Sequence, residues 1–199
     1  MQVALTLGQW AHRAAHDLMH TPATLSRDDL PGPLTTSIAH ASGAPGGRAA
    51  ETELMIRQMA RQEERLRRID LLARAVEAIS DRYPREGDVI WQVCLAAAPP
   101  RRPGRRGRQG WHDPEVVAWY AEAAGISEET LYDWMARGWE VVAVLWAPQE
   151  VLEWYLERRE KIARALSERA RRHQLSDDEL EWALGRREEL WRGQPLTPP

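Results

Sequence analysis

Apolar residues recur along this chain at intervals of three and four, and nowhere in the long alternating runs that mark a sheet. The first such run holds Leu7, Trp10, Ala11, Ala14 and Leu18, preceded by Thr6 and Gln9 at capping-box spacing. It predicts a helix from about Thr6 to His20, within an N-terminal unit spanning 1–22. Periodicity then stops. The stretch "TPATLSRDDLPGPLTTSIAHASGAPGGR" is dense in Pro, Gly and Ser and reads as a flexible linker over 23–50.

A long charged helix is predicted from Glu51 to about Tyr83. Its apolar residues Met55, Met59, Leu66, Ile69, Ala73, Val76 and Tyr83 form a seam that packs against another helix, of this chain or of a second copy. The interruptions at Gln62 and Ser80 favour packing within a bundle over a pure coiled coil. "YPREGD" predicts a turn, and "VIWQVCLAAA" a short buried helix that closes the segment 51–98, with Cys94 as a core residue. The Arg-rich loop "PPRRPGRRGRQG" occupies 99–112. Asp113 and Pro114 then suit the cap and first position of a new helix, opening the region 113–147. Beyond the apolar "VVAVLWA", Pro148 restarts the chain. A charged helix from about Gln149 to His173, a second capping box at Ser176 and Glu179, and a last helix to about Trp191 make up a C-terminal extension and tail over 148–199. The expected fold class is all-α, a helical bundle with long charged helices and a Pro/Gly-rich linker.

Within 113–147, the stretch "EAAGISEETLYDWMARG" fills the positions a helix-turn-helix requires. Ala121 is small enough for close helix contact, and Gly125 tolerates the positive φ of the turn. Ser127 caps the second helix, while Ile126, Leu131 and Trp134 anchor it inward. The positions left to face a groove are Glu128, Glu129, Thr130, Tyr132, Asp133, Ala136 and Arg137. Acids there cannot neutralise phosphate, although a carboxylate can accept from cytosine N4, and acid at a helix N-terminus is favourable in itself.

Charge distribution supplies what that helix lacks. The net charge is −3, yet residues 101–110 carry five arginines and no acid, while 111–150 carry eight acids against Arg137 alone. Such neighbouring blocks point to surfaces with different partners. Arg101, Arg102, Arg105, Arg106 and Arg108, spaced by Pro and Gly, suit phosphate or the minor groove of double-stranded DNA; RNA is the other polyanion such segments take. The DNA-contacting residues expected are these five with Ser127, Glu128, Thr130, Tyr132, Asp133 and Arg137.

Other chemistry is sparse. His12, His16 and His20 lie four apart, but no Cys or acid shares their face, so they read as a solvent- or partner-facing stripe rather than a metal site. No nucleophile–base pair, P-loop or dinucleotide fingerprint occurs, so neither catalysis nor a cofactor is expected. The longest apolar stretch is too short to cross a bilayer, which predicts a cytoplasmic protein without a membrane partner. Tyr155, Ile162 and Leu166 give a narrow apolar edge for self-association as a homo-oligomer.

The order of parts resembles phage late-transcription regulators of the RinA/ArpU type. The matching stretches are "SGAPGGRAAETE" into "RLRRIDLLARAVEAI", "VIWQVCL", and "WYAEAAGISEETLYDWMARG". The resemblance implies a helix-turn-helix similar to region 4 of sigma factors, promoter-proximal DNA binding and contact with RNA polymerase. The expected function is therefore a DNA-binding transcription regulator of phage or prophage type. The alternatives are a phage terminase small subunit, which recognises DNA for packaging, and a protein-interaction module that keeps the motif only as a scaffold.

Overall fold

The computed structural model describes residues 6–20, 47–95 and 114–192. Among these residues all regular structure is helical: α1 (Leu7–His20), α2 (Gly47–Ser80), α3 (Pro84–Val89), a π-helical stretch (Ile90–Leu95), α4 (Pro114–Ala124), α5 (Glu128–Trp146), α6 (Gln149–Ala165), α7 (Glu168–Arg172) and α8 (Asp177–Trp191). The linker expected over 23–50 and the Arg-rich loop lie almost wholly outside the described residues.

The caps form where short-range sequence places them. Thr6 Oγ1 accepts from the Gln9 N–H at 3.1 Å while the Thr6 N–H donates to Gln9 Oε1 at 3.1 Å, the reciprocal pair of a capping box. Ser176 and Glu179 do the same at the start of α8. "YPREGD" is not simply a turn: after Asp81 and Arg82, Pro84 takes the first position of α3, which runs into the π-helical stretch. Proline there costs nothing, because the N–H it lacks has no partner inside a first turn.

Helix α5 is the centre of the bundle. Leu145, Val142, Trp146 and their neighbours are buried, and α1, α2, α3 and α8 all pack on it. The larger core joins α1, α2, α5, α6 and α8. A smaller one, made of Val89, Val93, Val117, Ala121, Leu131 and Met135, lies where α4 and the first half of α5 meet the α3 segment. α1 comes so close to α5 that a Cβ on Gly8 would stand 2.7 Å from the Glu140 nitrogen.

Two expectations about packing are corrected. In α2 the buried residues are Leu71, Leu72, Ala75, Val76, Ala78 and Ile79; of the expected seam, Val76 joins the core and Tyr83 packs against it, while Met55, Met59 and Leu66 are more than half exposed. Apart from Val76, the core takes the face away from Leu66, which offers two adjacent leucines and an isoleucine with small alanines between them. The edge of Tyr155, Ile162 and Leu166 does not face a partner: all three side chains are buried in the main core. The single helix expected over 149–173 is broken, because Leu166 adopts an extended backbone and buries itself, and Ser167 caps α7 by accepting from the Ala170 N–H.

Candidate functional site

The segment expected to form a helix-turn-helix consists of α4, a turn at Gly125 and α5. Gly125 has φ +66°, the left-handed region in which a side chain is strained. Its N–H donates to Glu122 O at 3.1 Å, and the Ile126 N–H to Ala121 O at 3.0 Å, so two of the last four carbonyls of α4 are satisfied. Ser127 Oγ then accepts from the Thr130 N–H at 3.1 Å and opens α5. Ala121 and Leu131 are buried in the small core; Ile126 and Trp134 are only partly buried, and Met135 supplies the second fully buried anchor.

The outer face of α5 meets the chain's own C-terminal region. Arg169 on α7 bridges two acids, at 3.2 Å from Glu129 and 2.9 Å from Asp133. His173 Nε2 lies 3.1 Å from the same Asp133 carboxylate. Partial burial alone would raise the Asp133 carboxyl, but Arg169 and His173 outweigh it and hold it below the ordinary range. Arg137 points away from any groove: its Nη1 donates to His173 O at 3.2 Å and Gln174 O at 2.7 Å, and its Nη2 to the Glu179 carboxylate. Burial pushes Glu179 up, but Arg137, Ser176 and Tyr83 together draw it down to about 2.

Of the expected DNA-contacting residues, Ser127 and Glu128 are exposed, Thr130 is half-buried and Tyr132 is 41% exposed. Asp133 remains partly accessible but is engaged by α7, and Arg137 is committed to the fold. Arg101, Arg102, Arg105, Arg106 and Arg108 lie outside the described residues. They fall in sequence between the π-helical stretch and α4, both of which contribute to the small core.

Two clefts adjoin this face. One, of about 490 Å³, is edged by Glu86 of α3, Glu129, Asp133 and Trp134 of α5, and Arg169 and Arg172 of α7. The other, of about 180 Å³, lies where α1 meets α5, with Glu140 in its wall. Glu140 is 3% exposed and is held by the Thr6 hydroxyl and the Gly8 N–H at the start of α1. Burial raises its carboxyl to about 7, against the opposing pull of those bonds and of Arg137. His12 does not join a solvent-facing stripe; its ring stacks on Trp139 at 4.9 Å between centroids.

Sequence reading missed Arg169, His173 and Glu140. The first two reach α5 from about 40 residues away and carry no local signal. Glu140 had one: it is a lone acid beside the apolar run "VVAVLWA". No family model, curated protein or solved structure matches this chain.

Proposed function

We propose that this chain is a DNA-binding regulator of transcription in which α4 and α5 dock against duplex DNA and the arginines of 101–108 supply most of the attraction. The α4–α5 corner carries the reading. A left-handed glycine, a serine-capped second helix and a core of its own are the physical requirements of a helix-turn-helix. The residues left to meet bases or backbone are Ser127, Glu128, Thr130 and Tyr132. Arg169 lessens the repulsion expected of the acidic face, since its guanidinium offsets Glu129 and Asp133. The resemblance to RinA/ArpU-type regulators agrees with a site near a promoter and contact with RNA polymerase.

One observation favours a second reading, a protein-interaction module. Glu129, Asp133 and Arg137 are all engaged by the chain's own C-terminal region, which narrows the face offered to a groove.

Duplex binding followed by fluorescence anisotropy over a range of salt separates the two. With all five loop arginines on phosphate, the log–log salt slope is about −4.5. Changing the five to alanine is expected to weaken binding at least about tenfold and flatten that slope. Unaltered binding by the variant removes the loop from the mechanism, and a wild-type chain that ignores duplex at low salt supports the protein module instead.

A further inference from the structure

Helix α2 has two apolar faces on opposite sides. At 100° per residue, Leu71, Ala75, Ala78 and Ile79 lie roughly 120–180° around the helix from Leu66, and these four are buried in the main core. On the other side Met55, Met59 and Leu66 are 57%, 55% and 65% exposed, and Ile56 beside them is 59% exposed. Among the described side chains of α2, none before Leu71 is buried. Arg65, which donates to Leu18 O, and Arg68, whose carbonyl accepts from the Trp146 Nε1–H, tie it to the body by hydrogen bonds, and a helical stretch with so little apolar burial is marginal in water.

The outer seam steps through 55, 59, 62, 66, 69 and 73, alternating four and three. That spacing holds one edge of a helix against a partner helix of the same spacing. We propose that the partner is a second copy of this chain, and that two copies pair in parallel and in register along α2 over residues 55–73.

Three features choose this occupant and this direction. In-register pairing places Met55, Met59 and Leu66 each against its own counterpart. Gln62, the polar break in the seam, meets the other Gln62, and each amide can donate to the other's oxygen, fixing the register. Arg65 and Asp70 stand at the flanking positions that face one another across a parallel pair; Arg65 already donates through Nε to Leu18 O at 2.9 Å and Nη2 to Met19 O at 3.3 Å, which leaves Nη1 for Asp70 of the other copy. An antiparallel pair would set Gln62 against Met59, leaving the amide without a partner. The folded body of each copy leaves Met55, Met59 and Leu66 exposed, partly covers Ile69 and Ala73, and closes over the seam at Val76.

The exposed parts of Met55, Ile56, Met59 and Leu66 amount to roughly 400 Å² per copy, about half of what a standard interface buries per partner. The stems of flanking side chains add to this, and a dissociation constant of roughly 10–100 µM is expected.

Sedimentation velocity of the full chain over about 1 to 300 µM spans that range. The mass is expected to rise from 22.8 kDa towards twice that value. Met59→Glu and Leu66→Glu should each abolish the rise, with helical circular dichroism unchanged at concentrations where the wild-type chain is monomeric, since both side chains face outward. In a Cys94→Ser background, Met59→Cys should crosslink to its counterpart on mild oxidation. A chain that stays monomeric throughout, or a dimer that survives both glutamates, overturns the proposal. Crosslinking only when Met55→Cys and Leu66→Cys are combined overturns the parallel direction. None of these readouts depends on DNA.

Discussion

Gly125 and Glu140 are two residues whose surroundings set opposite demands. Nothing lies within 4 Å of a Cβ built on Gly125, so a substitution there meets backbone strain at φ +66° and no steric clash. Gly125→Ala is expected to cost about 1 kcal/mol and Gly125→Val about 2 kcal/mol, read from urea unfolding. Unchanged stability in both would contradict the turn geometry. Glu140 pays for burial instead. Unfolded, its carboxyl titrates near 4.5; folded, near 7. As pH rises between those values the unfolded chain ionises first, so stability falls, by about 3 kcal/mol once pH 7 is passed. Gln can keep the bonds to Thr6 and Gly8 without a charge, so Glu140→Gln should flatten this fall. Urea titrations at pH 5 and pH 8 read the difference, and the same slope in both proteins would contradict it. Glu179 does not confuse the test. Its carboxyl is lowered, so the stability it contributes is present above 4.5 and is lost only as pH falls towards 2.

Among the elements, α5 depends on help from outside itself. It has no basic residue in its last turn, yet the carbonyls there carry the negative end of the helix dipole. Arg187, from α8, supplies the cation: its Nη1 donates to Val144 O at 3.1 Å and to Leu145 O at 3.2 Å, and it is 4% exposed. Burial lowers its guanidinium to about 10, so it stays charged at neutral pH. Trp191 Nε1 also donates to Leu145 O, at 2.8 Å. Arg187→Met takes the guanidinium donor from Val144 O, leaves Leu145 O with Trp191 alone, and should cost about 2 kcal/mol; a loss below about 0.5 kcal/mol by chemical denaturation would show that the cap carries no weight. The elements also show what a sequence discloses. Both capping boxes, Pro114 at the head of α4 and Gly125 were legible, because each depends on residues within a turn of one another. The face by which α2 joins the core was legible only at Val76, since both of its faces are apolar. The break at Leu166 was hidden for the same reason: helical periodicity runs through it, and only the burial of Leu166 decides the kink.

At the scale of the molecule, long-range contacts decide what the α4–α5 corner can offer. The acids of α5 were legible as an obstacle to phosphate, and the five loop arginines as a remedy. That Arg169 reaches back to Glu129 and Asp133, and that Arg137 is taken up by Gln174 and Glu179, could not be read from residues 36 to 42 positions apart. The consequence is a smaller exposed face, Ser127 to Tyr132, on a helix whose other end is the centre of the bundle. Hydrogen–deuterium exchange with and without a saturating duplex tests that assignment most directly. The account predicts slowed exchange at residues 101–108 and at 126–132, with α6 unchanged. Binding that leaves 126–132 unprotected would contradict it.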